Sequence, residues 1–402
     1  MERKILHVDV NNAFLSWTAV NMLENGAKID IRTIPAIIGG DESQRHGIVL
    51  AKSPIAKQFE IKTGEPIYFA RKKCPNLQIF KSDFKIYTKY SNALYNLLLE
   101  YTDKIERFSI DECFMDLTQY LNGRDLVEVA YEISKRVREE LKFTVNVGVA
   151  HNKLLAKMAS DFQKPNRVHT LLNDEEIHRK MWILPISELF MVGKKTIPKL
   201  YNMGIKKIGD LAKYDQNILL KKFGKYGKQM WEYANGIDNS EVEYLKQEPK
   251  GIGNSITLAQ DILNLEKLDE ILLALTEQVA YRLRKHKLYA QVISVQIKNS
   301  EFKVYSHQRK IDYPDNTTKG IYKIAKELLR ELYKGEAIRL IGVRVEKLCN
   351  ENEVQLSLFS TEDDKKQEKI DKTVDLLKEK YGGNTITRAG KMNIDKIINL
   401  KE

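Results

Sequence analysis

At 402 residues the chain exceeds what one ordinary core organises, so two to four domains are expected. Its 66 Lys and Arg against 55 Asp and Glu give a formal net charge of +11, which favours a polyanionic partner because cationic side chains displace counterions from a phosphate backbone; a basic soluble protein with no such partner is the alternative. Cys74, Cys113 and Cys349 lie far apart without C-x-x-C spacing and argue against a disulfide scaffold or a zinc site, while no stretch reaches membrane-spanning length and no cationic leader precedes an apolar run, so a soluble, intracellular protein without a membrane partner is expected.

The apolar run Ile5-Leu-His-Val8 reads as a short buried strand through Val10, and Asp9 ends that run. Residues 20–77 read as a small insert. Helices fit Lys89 to Tyr101, Leu126 to Leu141 and Asn152 to Phe162, and strands fit Arg107 to Leu117 and Phe143 to Ala150. Together they describe an α+β sheet with helices on one face. The run Arg107 to Leu117 carries the adjacent acids Asp111 and Glu112. Burying carboxylates at the ends of apolar strands is unfavourable unless a cation compensates them. If Asp9, Asp111 and Glu112 converge on one sheet edge, they form an oxygen-rich site suited to Mg²⁺ and to two-metal phosphoryl transfer. In the competing reading the pair sits on a hairpin turn and Asp9 faces water.

Residues 167–237 lose the strand signal and alternate short helices with Gly-centred turns, at Phe190-Met-Val-Gly-Lys-Lys-Thr196 and Phe223-Gly-Lys-Tyr-Gly-Lys228. Such helix-hairpin-helix turns offer backbone N–H groups and lysines to a phosphate. Residues 238–253, with Pro249, Gly251 and Gly253, read as a linker. Residues 254–348 follow a β-α-β-β-α-β order with helices at Leu263 to Lys287 and Lys319 to Tyr333. Its strand-borne Lys298, Lys303, Arg309, Lys310, Arg339 and Arg344 suggest one basic sheet face. The charge-dense tail from Asn350 carries the apolar pentamer Gln355-Leu356-Ser357-Leu358-Phe359, suited to a partner's hydrophobic pocket.

Asp9-Val-Asn-Asn-Ala-Phe14, Ser109-Ile-Asp-Glu112, and Asn146-Val-Gly-Val-Ala-His-Asn-Lys-Leu-Leu-Ala-Lys157 running into Ala159-Ser-Asp-Phe-Gln-Lys-Pro-Asn166 occur in one order. With these motifs in register the chain resembles, over nearly its whole length, the Y-family translesion DNA polymerases, and most closely the bacterial group that includes polymerase IV and the catalytic subunit of polymerase V. The resemblance implies a multidomain right-hand architecture: a palm at 1–19 and 78–166, fingers at 20–77, a helix-hairpin-helix thumb at 167–237, a linker at 238–253, a little finger at 254–348, and a tail at 349–402 with a clamp-binding motif.

Carried onto this sequence, the resemblance implies that Asp9, Asp111, Glu112 and the Val10 carbonyl bind two Mg²⁺, with Mn²⁺ able to substitute. It implies nucleotide contacts at Asn11, Asn12, Ala13 and Phe14, and at Ser53, Lys57 and Lys164, with the Phe14 ring as a steric gate against ribose. Asn11 stands where the family often has a second Asp. Pro54 and Lys57 stand where Tyr and Arg are common, so a point charge replaces a guanidinium and Ser53 is expected to supply the lost hydroxyl. Met191 stands where a Gly is usual. Primer-template contacts are implied for Gly193, Lys194, Lys195 and Thr196, and for Lys298, Lys303, Arg309, Arg339 and Arg344; the pentamer Gln355 to Phe359 matches a bacterial sliding-clamp motif. A monomer in the bacterial cytoplasm, at the nucleoid, is expected to add dNTPs to a primer with low fidelity: the fingers insert is small, and nothing resembles a proofreading exonuclease. A nucleotide cyclase on a similar palm and a non-catalytic scaffold are the rival readings; the basic distal domain argues against the first and the intact acids against the second.

Overall fold

A computed structural model of the chain describes residues 2–40, 47–245, 248–350, 362–382 and 385–386. Two compact units divide between residues 246 and 247. In the first, β1 (Ile5–Val10) runs into α1 (Ala13–Glu24). A small sheet follows, built from β2 (Ala36–Gly39), β3 (Val49–Lys52), α2 (Pro54–Gln58), α3 (Ile67–Lys73) and β4 (Gln78–Lys81). The larger sheet resumes through α4 (Phe84–Leu99), β5 (Ile105–Arg107), β6 (Glu112–Asp116), α5 (Leu126–Glu140), β7 (Val145–Ala150), α6 (Lys153–Asp161) and β8 (Val168–Leu171).

The five strands lie in the order β5-β6-β1-β7-β8, with β1 central and antiparallel to both neighbours. Because β1 and β7 are buried along their whole length, both sheet faces need cover. Leu6, Val8 and Val10 pack into a core with α1, α4 and α5, while Ile5 and Phe114 pack with α6. Helices therefore cover both faces, not one as the sequence suggested. Gly148 makes the second layer possible: a Cβ there would sit 1.9 Å from the Ala156 carbonyl oxygen and 2.6 Å from the Ser160 nitrogen. Its absence lets α6 lie directly on the strand that pairs with β1.

Local chemistry sets the helix starts. Asp83 accepts from the Lys85 N–H and starts α4 five residues before the expected Lys89. Asp125 and Asn152 cap α5 and α6 in the same way, where expected. The run Arg107 to Leu117 is not one strand but a hairpin, with Phe108 and Ser109 N–H groups both donating to the Glu112 carbonyl. Two boundaries also move. β4 belongs to the small sheet although it follows residue 77, and β8 extends the larger sheet past residue 166 by pairing parallel to β7.

Beyond β8 come five short helices: α7 (Asp174–Glu176), α8 (Ile197–Tyr201), α9 (Ile208–Ala212), α10 (Gln216–Phe223) and α11 (Lys225–Ala234). Leu200, Ile208, Leu219 and Met230 pack this block onto Leu154, Leu155 and Met158 of α6. The first part of the expected linker is not loose. Arg3 donates to the Asp238 carbonyl at 2.8 Å, Asp238 accepts from the Leu154 N–H at 3.1 Å, and Glu106 accepts from the Glu243 N–H at 2.7 Å.

The second unit contains β9 (Gly251–Ile262), α12 (Leu265–Lys285), β10 (Leu288–Asn299), β11 (Val304–Asp315), α13 (Thr318–Leu332), β12 (Ile338–Asn350) and α14 (Glu362–Tyr381). The expected β-α-β-β-α-β order forms an antiparallel sheet, β11-β10-β12-β9, with its core against α12 and α13. β9 begins inside the expected linker. The tail also holds a surprise in α14: Arg284, only 7% exposed, lies 2.6 Å from Asp375 and 3.4 Å from Asp371. Asp371 in turn accepts from the Thr318 N–H at 2.8 Å. Its mixed charge reads as a solvated segment, but one side is spent on buried pairs. The pentamer Gln355 to Phe359 lies outside the described residues.

Candidate active site

Asp9 is the penultimate residue of β1 and Glu112 begins β6, and the antiparallel register sets them directly opposite each other. Asp111 is one residue before, in the hairpin turn, where its carbonyl accepts from the Val10 N–H at 3.0 Å. The turn and the strand end thus bring distant segments to one point. The Asp111 carboxylate is turned to the Ser109 hydroxyl, which donates at 2.6 Å. Among the described residues no three acidic or histidine side chains form a ready metal cage.

Two lysines of the Lys157 to Lys164 segment sit between the acids instead. The Lys157 ammonium, on a side chain 10% exposed, lies 2.8 Å from Glu112, 3.5 Å from Asp9 and 3.2 Å from Asp161. Lys164 lies 3.0 Å from Asp9 and 2.8 Å from Asp161. Burial pushes the Glu112 carboxyl up to about 7, with Lys157 opposing the shift. Burial alone would lower Lys157, but Glu112, Asp161 and Asp9 hold it up at about 12. Beneath the pair, His7 is fully buried and held neutral by that burial, then by Lys157 and Lys164. Because the Ser160 hydroxyl donates to the Lys157 carbonyl, it accepts from His7 Nδ1, leaving Nε2 without a hydrogen bond 3.9 Å from Glu112.

This donor set fits a hard divalent cation: carboxylate oxygens, a backbone carbonyl nearby, and an acid whose ionisation is resisted until positive charge arrives. Lys157 was not foreseen as a site residue. Its signal was present in the sequence as a Lys-x-x-x-Asp pair at Lys157 and Asp161 on the helix leading to Lys164.

Around this centre, Asn12 has left-handed backbone angles, and its side chain donates to the Lys52 carbonyl at 2.6 Å. It therefore ties the start of α1 to β3. No side chain caps the first turn of α1, which leaves the N–H groups of Ala13 and Phe14 suited to an anion. The Phe14 ring stacks on Tyr87 with centroids 4.4 Å apart and stands edge-on to Phe84 at 5.9 Å. Lys57 is exposed near the end of α2, and Pro54 starts that helix.

Two expected nucleotide contacts do not hold. Ser53 is fully buried; its hydroxyl donates to the Ile34 carbonyl and accepts from the Ala36 and Ala56 N–H groups. It caps α2 and has no hydroxyl left for a phosphate. Asn11 is also turned inward: its carbonyl oxygen accepts from Thr144 and from the Asn166 N–H, and its amide donates to Asn146. It braces the strands rather than the nucleotide.

Two family models match the chain, the impB/mucB/samB family over residues 8–161 and the C-terminal domain of that family over residues 249–358. The DNA polymerase IV of Clostridium acetobutylicum is 50% identical over 389 residues, 97% of this chain and 98% of that protein. The DNA polymerase IV of Acetivibrio thermocellus is 36% identical across 96% and 97%. Among solved structures, a Y-family DNA polymerase chimera is 26% identical and matches with a TM-score of 0.76 over 86% of this chain and 99% of its own. The chain belongs to the Y family of translesion DNA polymerases.

In this Y-family polymerase Met191 takes up a left-handed backbone conformation in the thumb turn, at φ 70°, and its carbonyl accepts from the Tyr226 hydroxyl at 2.7 Å. Gly193 accepts from the Thr196 N–H at 2.8 Å, so Gly193, Lys194, Lys195 and Thr196 form a tight turn into α8. In the little finger, Ser294, Gln296, Lys298, Gly342 and Arg344 alternate with core residues and share the sheet face away from the helices. Arg309 does not join them. It pairs across from the core residue Ile293 and is bound by Glu327 and Glu331 of α13, so α13 neutralises it on the opposite face. Lys303 lies in the β10–β11 turn paired with Glu301 at 2.8 Å, and Arg339, beside the β12 irregularity, stacks 4.7 Å over Phe302. The open face is thus more polar than the sequence suggested.

Proposed function

We propose that Asp9, Asp111 and Glu112, with the Val10 carbonyl, hold two Mg²⁺ ions, or Mn²⁺ in their place, for template-directed addition of deoxynucleotides to a primer 3′ end. The observation that carries this reading is the cross-strand opposition of Asp9 and Glu112 with Asp111 beside them. When bound, such ions lower the effective pKa of the primer hydroxyl and neutralise charge as pyrophosphate leaves.

The chain's own residues do the rest. Lys157 balances the acids and must swing from between Asp9 and Glu112, a short move for a side chain already shared with Asp161. Lys164 reaches from the same edge toward the triphosphate, as do the N–H groups at the start of α1, while exposed Lys57 adds a point charge. The Phe14 ring, fixed on Tyr87, occupies the space a 2′-hydroxyl would need. The thumb turn at Gly193 to Thr196 and the little-finger residues Lys298 and Arg344 hold primer-template backbone. In the bacterial cytoplasm, Gln355 to Phe359 docks the monomer on a sliding clamp, which raises its local concentration at a primer end; Phe359→Ala removes clamp stimulation and spares distributive extension.

Primer extension tests this reading, on undamaged templates and opposite an abasic site. Asp111→Asn abolishes extension while DNA binding persists; extension equal to the unaltered chain removes the catalytic assignment.

A further inference from the structure

The small sheet carries a surface that nucleotide addition leaves unexplained. On α3, Tyr68 and Phe69 are 58% and 52% exposed, although Ile67 and Ala70 of the same helix are buried and anchor it. The two rings stand edge to face, with centroids 5.5 Å apart and planes at 66°. Lys72 Nζ lies 4.5 Å over the Tyr68 ring. Adjacent exposed rings with a cation laid over one of them make a sequence-tolerant platform for nucleobases, since every base has a π face.

Charge selects the occupant. Between Lys52 and Lys73 the basic residues are Lys52, Lys57, Lys62, Arg71, Lys72 and Lys73, against only Glu60 and Glu65. Glu65 is tied to Lys73 at 2.6 Å. Lys52 registers the crowding: its ammonium is held below the ordinary value by burial first, and also by Lys57, Lys73 and Lys62. Rings set among like positive charges suit a flexible polyanion carrying bases.

We propose that Tyr68 and Phe69, with Lys72 over the Tyr68 ring, form a binding platform for single-stranded DNA, whose occupant is the unpaired template strand. The occupant rests on the template-directed reading above. The platform sits on the same small sheet that Asn12 ties to the start of α1, so template held there is restrained relative to the nucleotide site.

The test uses the full chain and measures affinity by anisotropy for three probes: a blunt duplex, the same duplex with a long unpaired 5′ template extension, and a free single-stranded oligonucleotide. The unaltered protein binds the extended duplex more tightly than the blunt one. Tyr68→Ala with Phe69→Ala lowers that increment by about fivefold or more, the scale of a lost base stack, and weakens the free strand in parallel, while blunt-duplex affinity stays. Lys72→Glu moves affinity the same way and flattens its salt dependence. Retention of the increment by the double variant, as when the rings serve a protein partner, overturns the proposal, and so does an equal loss on the blunt duplex. Since the free strand reads the platform without catalysis, failure of the polymerase reading alone leaves that arm intact.

Discussion

Asp9 and Glu112 face each other across the β1–β6 ladder, and the Lys157 ammonium bridges them, 2.8 Å from Glu112 and 3.5 Å from Asp9. The sheet presents its acids already neutralised, by a cation on a side chain that can move. That relationship sets how the site responds to metal.

Replacing Lys157 by Met removes the bridge and leaves buried carboxylates uncompensated. We expect about 3 kcal/mol of lost stability in the presence of a chelator, the lower end for one partner of a buried pair, since Glu112 keeps some solvent contact. Divalent cation restores part of it, because an ion then supplies the missing charge. Urea denaturation with chelator and with Mg²⁺ checks this; an equal loss in both contradicts it.

Glu112 gives the site a pH dependence of defined sign. Its folded pKa of about 7 lies above the unfolded carboxylate value. The metal-free fold therefore has this group's contribution in full below the unfolded pKa, and loses it as pH rises through about 7. Metal binding runs the opposite way, since the ion takes the deprotonated carboxylate. Mn²⁺ affinity, followed by its electron paramagnetic resonance signal, should fall about tenfold from about pH 8 to about pH 6. A flat profile contradicts the shift.

Phe14→Ala removes the ring stacked on Tyr87 and, on the proposed steric-gate role, opens the space above the sugar. Ribonucleotide incorporation should rise at least about tenfold relative to deoxynucleotide, the scale of one lost steric contact. Single-nucleotide kinetics with matched ribo- and deoxynucleotides check it, and unchanged discrimination makes the ring core filler.

Arg284→Met removes the guanidinium shared by Asp371 and Asp375, of which Asp371 is 2% exposed and keeps the Thr318 N–H as a donor. Loss of that buried cation should loosen α14 from the little finger at a cost of about 3 kcal/mol. Limited proteolysis then cleaves within 362–381 well before the unaltered chain does. Equal cleavage rates place the anchor elsewhere.

The meeting of Asp9 with the Asp111–Glu112 pair was legible because strand periodicity and adjacent carboxylates are local features. β1 carries apolar residues on both sides with Asp9 next to its end, so its burial and its acid could be read together. The helices on both faces could not, because their placement depends on Gly148, whose missing side chain matters only once α6 is packed on it. Ser53 was misread for a similar reason: a hydroxyl beside a phosphate and a hydroxyl capping a helix look alike until its three partners are known. Arg309 and α14 show the same limit for charge. A strand-borne Arg reads as a free cation and a mixed-charge tail as solvated, yet each is spent on acids or bases far away in sequence.

Anomalous diffraction at the manganese edge tests the central claim most directly, using crystals of the polymerase with primer-template DNA, an unreactive dNTP analogue and Mn²⁺. The account predicts two peaks at coordination distance, about 2.1 Å, from carboxylate oxygens of Asp9, Asp111 and Glu112, with the Lys157 ammonium displaced from between Asp9 and Glu112. Peaks remote from these acids, or Lys157 still bridging them with substrate bound, would contradict it.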